Sequence, residues 1–297
     1  MTMKGLLIFG CGYTGLRLAR QARERGARVW GTTRSTDRFE TLQGHGATPL
    51  LFGEEHPSIP DDIWEHVDTV VDSIGPAWST GHDITPLVLS SLQGRDIHRF
   101  VYVSSTSVYG DHQGALVDET TPCQPGAAAG QRRLRIEGEI SSWSQSTGIP
   151  VIIARVAGIY GPGRSLIHRI KGGRYRRIAG LNTYSNRIHV EDLAQSLLCL
   201  SSRGESGEVY NVADGHPALQ HQVADCAAEF LDDGSFETLS LAQAEEALKP
   251  SHLAMVRESK RLSNKKLMGV LSSPLRFPTY REGLQSIAES EGLTNQK

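Results

Sequence analysis

The sequence has few cysteines: Cys11, Cys123, Cys199 and Cys226 stand far apart and form no CxxC pair. That excludes a disulfide framework or a cysteine-based zinc module, and no metal site is expected. The four read as free thiols in a reducing compartment. Long apolar runs are also missing, because no stretch approaches the 18 or so residues of a membrane span. Near the start, Leu6-Leu7-Ile8-Phe9 is the whole uninterrupted apolar run, and Arg17 and Arg20 follow without a small-residue cleavage site, so no secretory signal is expected. An excess of one charge is absent too. Thirty-one basic and 33 acidic residues leave a net −2, without the standing positive field that a general nucleic-acid or membrane-surface binder needs. A cytoplasmic protein with neither kind of partner is the expectation.

What the sequence has in excess is glycine, 31 residues in 297, above the usual share of about 7%. Through the first half, β-rich runs alternate with helical stretches. Lys4–Gly10, Ala27–Thr32, Ala47–Phe52, Val67–Ser73, Arg99–Ser104 and Pro150–Val156 read as strands, and Tyr13–Arg25 as a helix with Leu16, Ala19 and Ala22 on its apolar stripe. Such alternation implies crossover units and a parallel sheet covered on both faces. After residue 156 the rhythm changes. Gly158 to Gly180 shows no strand–helix repeat, His189–Ser202 reads as a helix returning to the sheet, Glu208–Val212 as one more strand, and the remainder as helices and loops.

Gly10-Cys11-Gly12-Tyr13-Thr14-Gly15 fits GxGxxG between an N-terminal apolar strand and a helix. In that setting the first glycine allows the tight turn, the second admits a pyrophosphate, and the third lets helix pack on strand. The helix N-terminus offers free N–H groups to the phosphates. The second strand ends Trp30-Gly31-Thr32-Thr33-Arg34-Ser35, with no carboxylate to bind a ribose 2′-hydroxyl. Arg34 can pair with a 2′-phosphate instead, which favours NADP over NAD. Asp37 lies too far on, where it opens the next helix. Cys11 has two readings, a thiol with its pKa lowered by the helix dipole or a small packing residue in the turn, and packing is the simpler. The architecture expected is an α/β, Rossmann-type doubly wound parallel sheet with a smaller, interleaved C-terminal cap. Residues 1–156 form the dinucleotide-binding domain, with 186–213 returning to the sheet, and 157–185 and 214–297 form the cap.

Further motifs follow in order: Val103-Ser104-Ser105-Thr106-Ser107-Val108-Tyr109-Gly110, Ile159-Tyr160-Gly161-Pro162-Gly163-Arg164, Arg187-Ile188-His189-Val190-Glu191-Asp192 and Val209-Tyr210-Asn211-Val212. Together they resemble the extended short-chain dehydrogenase/reductases of the NAD-dependent epimerase/dehydratase type, over nearly the whole chain. The tail, Lys260-Arg261-Leu262-Ser263-Asn264 with Phe277-Pro278-Thr279-Tyr280, resembles the YeeZ-like bacterial branch of that family.

The resemblance implies a Ser or Thr that polarises the substrate oxygen, a Tyr acid/base, and a Lys four residues beyond it. The Ser position falls on Ser105, beside Thr106. Aligned on Glu137, the Tyr position holds Ala129 and the Lys position Arg133. Residues four beyond the eight tyrosines include no lysine, so the pair has not merely moved. Arg133 can hold ribose hydroxyls but cannot relay a proton, because guanidinium stays charged. Tyr109 and Tyr160 are the nearest phenols, and strand-end packing is the simpler reading of both. Ser105, Thr106 and Arg133 are therefore the candidate catalytic residues. Gly10, Gly12, Tyr13, Thr14, Gly15, Thr33, Arg34, Ser73, Ile74, Gly75, Ser104 and Arg133 are the candidate cofactor contacts.

Arg164, Arg169, Lys171, Arg174, Arg176 and Arg177 form a run without an acid. It reads either as a pocket wall for an anionic substrate or as a solvated basic face. The family places an Arg at the cleft where this chain has Arg187, so Tyr160, Arg164 and Arg187 are the candidate substrate residues. His189 reads as a hydrogen-bonded structural residue, and Asp192 as packing or capping at a helix start. The function expected is an NADP-binding oxidoreductase, or an epimerase/dehydratase-like protein, acting on a small polar carbonyl or sugar-nucleotide molecule. A non-catalytic NAD(P) sensor is the alternative that the vacancy at Ala129 raises. The resemblance also makes a homodimer through helices around 82–93 and 128–146 plausible.

Overall fold

A computed structural model describes residues 3–75 and 83–293. Seven strands, β1 (Gly5–Phe9), β2 (Arg28–Thr33), β3 (Thr48–Leu51), β4 (Thr69–Asp72), β5 (Arg99–Ser105), β6 (Val151–Val156) and β7 (Val209–Val212), form one parallel sheet in the order β7-β6-β5-β4-β1-β2-β3. The order reverses between β1 and β4, and ligands of such sheets bind at that switch point.

Successive side chains of a strand point to opposite faces, so each buried strand feeds two cores. Leu6, Ile8, Val101 and Val103 face one side with Leu18 and Ala19 of α1 (Tyr13–Glu24) and Leu193 and Leu197 of α6 (Val190–Arg203). Leu7, Phe9, Phe100 and Tyr102 face the other, with Val88 and Leu92 of α3 (Thr85–Leu92) and Ile136 and Ile140 of α4 (Ala128–Thr147). Helix α2 (Phe39–Gly44) sends Leu42 into the first core. The continuous apolar runs of the sequence are therefore central strands covered on both faces.

Whereas α10 (Lys265–Met268) sends Leu267 into the first core of the sheet, the cap holds α5 (Leu166–Lys171), α7 (Gln220–Ala228), α8 (Leu241–Ala247), α9 (Pro250–Arg257) and α11 (Tyr280–Ser290). Ile167 and Ile170 of α5, Val223 and Ala227 of α7, and Leu284 and Ile287 of α11 build its own core around Tyr160 and Tyr175. The cap also contains strands where the sequence suggested none. Ala218–Leu219 pairs with Tyr184–Ser185, Glu237–Leu239 with Arg176–Ile178, and Arg261–Leu262 with Leu116–Val117. Gly158–Tyr160 pairs with Arg187–His189. Two or three residues are too few to show a period of two, which is why these strands escape pattern reading. Of the helix expected around 82–93, residue 82 lies outside the described residues. Among those described, no helix is long and apolar enough to cross a membrane, and no group of three His, Cys, Asp or Glu could hold a metal.

Candidate functional site

The glycine turn joins β1 to α1. Gly10 has φ +74, in the left-handed region, and a Cβ there would lie 2.6 Å from Ile74 Cγ1, so glycine is required twice over. The backbone N–H of Gly10 donates to Thr32 Oγ1 (2.9 Å), and Ser73 Oγ donates to the Gly10 carbonyl (2.8 Å). Ser73 and Ile74 thus hold the turn from β4. A Cβ on Gly15 would sit 3.2 Å from the Gly10 carbonyl oxygen and from Ile8 Cγ2, the close helix–strand contact that a third glycine permits. Gly12 differs. A Cβ there would find only the Gly10 carbonyl oxygen at 3.8 Å, and as N-cap of the twelve-residue α1 it has no side-chain cap. An open cradle over uncapped N–H groups fits a pyrophosphate. Thr14 is buried in the first turn of α1. Cys11 is a packing residue, its thiol pushed up to about 12 by burial against a weaker pull from Arg38.

At the end of β2, Thr33 Oγ1 donates to the Ser35 carbonyl and Arg34 is exposed, with its Cγ 3.6 Å from the Cβ position of Gly53. Ser35 Oγ accepts from Asp37 N, which keeps Asp37 in a local turn. Sequence reasoning missed Arg38, exposed on the same turn and close enough to Cys11 to act on its thiol. Its signal was a second arginine four positions after Arg34.

Arg133 projects from α4 to the ends of β4 and β5. Its Nη1 donates to the Val103 carbonyl (2.7 Å) and to Tyr102 Oη (3.4 Å), while Nη2 lies 3.7 Å from the open side of Gly75. Beneath it, Asp72 is pushed up to about 7 by burial, against the pull of Ile74 N–H and the Arg133 charge. Ser104 is drawn elsewhere: its Oγ donates to Glu137 Oε1 at 2.5 Å. Ser105 Oγ accepts from Ser107 N (3.2 Å), leaving its own proton free to donate.

Ser105 and Thr106 open onto a cavity of about 940 Å³ between sheet and cap. Five of the six basic residues singled out in the sequence, Arg164, Arg169, Arg174, Arg176 and Arg177, line it, and Lys171 does not. Arg176 pairs with Glu237, and Arg177 with Asp225. Arg187, also in the wall, donates to Gln220 Oε1 (2.8 Å) and to Ser185 Oγ. No carboxylate ion-pairs with Arg187 among the described residues, and burial pushes its guanidinium down from the ordinary arginine value. Asp214 is the nearby acid. Burial pushes it up to about 7, and its Oδ2 is buried without a partner.

The two phenols weighed from sequence are both fixed. Tyr109 is fully buried, donates to Asn211 Oδ1 (2.8 Å), and is pushed up to about 12 by desolvation. Tyr160 lines the cavity but is 6% exposed, donates to the Thr279 carbonyl (3.4 Å), and is pushed far up by desolvation. His189 caps α6 through Nδ1, which accepts from Glu191 N, and burial pushes it down to about 4. Asp192 does not cap that helix. Fully buried, it accepts from Arg276 N (2.7 Å) and Phe277 N (2.8 Å), pinning the tail across the sheet domain.

The model of the NAD dependent epimerase/dehydratase family matches residues 6–213. Protein YeeZ of Escherichia coli K12 is 33% identical over 234 residues, covering 73% of this chain and 80% of its own. A 4-hydroxy-2-methyl-3-oxo-4-farnesyl-3,4-dihydroquinoline-1-oxide ketoreductase of Stigmatella aurantiaca is 26% identical over 231 residues, 72% of this chain and 69% of that one. Among solved structures, a functionally unknown conserved protein from Silicibacter pomeroyi DSS has TM-score 0.85 and 35% identity, covering 97% of this chain and 99% of that chain. UDP-glucuronic acid 4-epimerase from Bacillus cereus, in complex with NAD, has TM-score 0.77 over 97% of this chain and 99% of that one. At 16% identity, it speaks for the fold alone.

Proposed function

The chain belongs to the NAD dependent epimerase/dehydratase family, and from that premise we propose that it is an NADP-dependent oxidoreductase or epimerase acting on a small anionic substrate. One observation carries this reading. The open glycine cradle is tied through Tyr13 to Pro162 and Arg164, at a cavity whose wall holds Arg164, Arg169, Arg174 and Arg187, none of them ion-paired with a carboxylate among the described residues. Unpaired guanidinium groups facing one cavity favour a ligand that brings its own negative charge.

Gly12 and the first turn of α1 receive the pyrophosphate, with Tyr13 and Thr14 beside it. Arg34 and Arg38 flank the 2′-phosphate, and no carboxylate at the end of β2 competes for them. Arg133 keeps donors beyond the two it gives to β5, and these hold ribose hydroxyls next to Gly75. The nicotinamide, when bound, supplies a hydride acceptor and donor. Ser105 offers a hydrogen bond from its hydroxyl to the substrate oxygen, with Thr106 beside it. Arg187 and Arg164 anchor the anionic group, while Tyr160 supplies wall rather than acid. The ketoreductase name among the similar proteins supports a carbonyl class.

The test is substrate conversion, read by product chromatography as well as by cofactor absorbance, because an epimerase returns its hydride and shows no net cofactor change. Purified protein with NADP+ or NADPH is assayed against UDP-glucuronic acid, UDP-glucose, dTDP-glucose and simple ketones. Turnover of an anionic member, lost in Ser105→Ala, supports the reading. Tight NADPH binding without turnover of any member would favour the non-catalytic sensor instead.

A further inference from the structure

The position that the family gives to its Tyr acid/base holds Ala129, and the nearby phenols are tied up, so the substrate proton needs another route. Among the described residues, one hydroxyl in the cavity wall is hydrogen-bonded to a histidine. Ser165 and His168 both line the cavity, and Ser165 Oγ lies 2.7 Å from His168 Nδ1. On the far side of the ring, His168 Nε2 lies 2.9 Å from Glu291 Oε1. With Nε2 protonated towards the carboxylate, Nδ1 is a bare acceptor and Ser165 donates to it.

Two features separate this chain from ordinary helix capping. Ser165 occupies the N-cap of α5, yet its side chain makes no cap hydrogen bond. It turns to His168 instead. The acid comes from far away in sequence, at the end of α11, 123 positions beyond the histidine. The loop before Ser165 is also tied to the glycine turn. Tyr13 Oη donates to the Pro162 carbonyl (3.0 Å), and the Arg164 guanidinium lies 5.5 Å from the Tyr13 ring centre. The hydroxyl therefore sits in the wall of the arginine-lined cavity, directly after the loop that is tied to the glycine turn.

We propose that Ser165 is the acid/base hydroxyl of the site and that His168 and Glu291 form its proton relay. The redox step rests on the function proposed above; the activation of Ser165 does not. When a substrate carbinol is oxidised, its O–H proton moves to Ser165 Oγ while the serine's own proton moves to His168 Nδ1. The C–H electron pair leaves as hydride to an oxidised nicotinamide, and the carbon becomes a carbonyl. The imidazolium so formed faces the Glu291 carboxylate. Reduction runs the same transfers backwards. Ser165 is the catalytic residue of the three, and the other two position and charge it.

The experiment needs no substrate. Full-length protein is treated with phenylmethanesulfonyl fluoride and the modified residue is located by peptide mass spectrometry, in parallel with an NADPH titration of each sample. The relay predicts sulfonylation at Ser165, none there in Ser165→Ala, and a rate at least tenfold lower in His168→Gln. Variants that still bind NADPH like the wild type are folded, and the wild-type labelling site needs no variant. An unmodified Ser165 in protein that binds NADPH overturns the relay, as does an undiminished rate in His168→Gln. A labelled Ser165 in protein that binds no NADPH supports the activated serine and overturns the redox step.

Discussion

The Glu137 carboxylate accepts from the Arg155 guanidinium at 2.7 Å, with the two side chains only 5% and 8% exposed. Ser104 donates to the same carboxylate, and Arg155 lies 4.8 Å from the centre of the Tyr109 ring. One buried ion pair therefore fixes α4, β5 and β6 together, directly behind Ser105. Removing one partner strands the other charge. Glu137→Ala is expected to destabilise the protein by about 3–5 kcal/mol in urea denaturation. A double replacement by apolar residues of similar volume should recover much of that loss.

Gly12 separates folding from binding. Apart from its own chain neighbours, a methyl group there would find no protein atom closer than 3.8 Å, but it would fill the space a pyrophosphate needs. Gly12→Ala should keep the thermal midpoint within a few degrees while weakening NADPH binding at least tenfold, read by fluorescence titration. A large fall in the midpoint with binding intact would contradict the assignment.

Arg187 gives the opposite pairing of effects. It is a half-buried cation without an ion-paired carboxylate among the described residues, so the folded state bears a partial desolvation cost that a ligand anion would relieve. Arg187→Met should therefore raise the thermal midpoint of the free protein. It should also weaken UDP binding at least tenfold and flatten its salt dependence, both measured by calorimetry.

Asp214 sets a pH dependence. Burial raises its folded pKa from 3.8 to about 7, so the folded state holds a proton that the unfolded chain has released. The stability this confers is fully present below about pH 4 and is lost as pH rises through 7. Asp214→Asn keeps an acceptor for the His216 N–H now held by Oδ1 and mimics the protonated acid. It should raise the urea midpoint at pH 8 and leave it nearly unchanged at pH 4. Equal effects at both values would count against a buried, late-titrating carboxyl.

The sheet was readable because β1, β5 and β6 carry near-continuous apolar runs, and the turn because its glycines sit between a strand and a helix. The cap was not, because strands such as Arg261–Leu262 are too short for a period. Contacts that span the chain were equally hidden. Nothing local marks Asp192 as the acceptor for residues 276 and 277, or Glu291 as a partner for His168. Arg187 was found through the family motif, and its lack of an ion-paired carboxylate among the described residues emerged only in three dimensions.

The central claim is an NADP-type dinucleotide site at the end of β2, and titrating NADPH and NADH into wild-type protein and Arg34→Ala tests it most directly. A charge-assisted contact to the 2′-phosphate is worth about 1.5–3 kcal/mol. Wild type should therefore bind NADPH at least tenfold more tightly than NADH, and Arg34→Ala should lose most of that difference while NADH affinity hardly moves. NADH binding as tight as NADPH in the wild type would contradict the account.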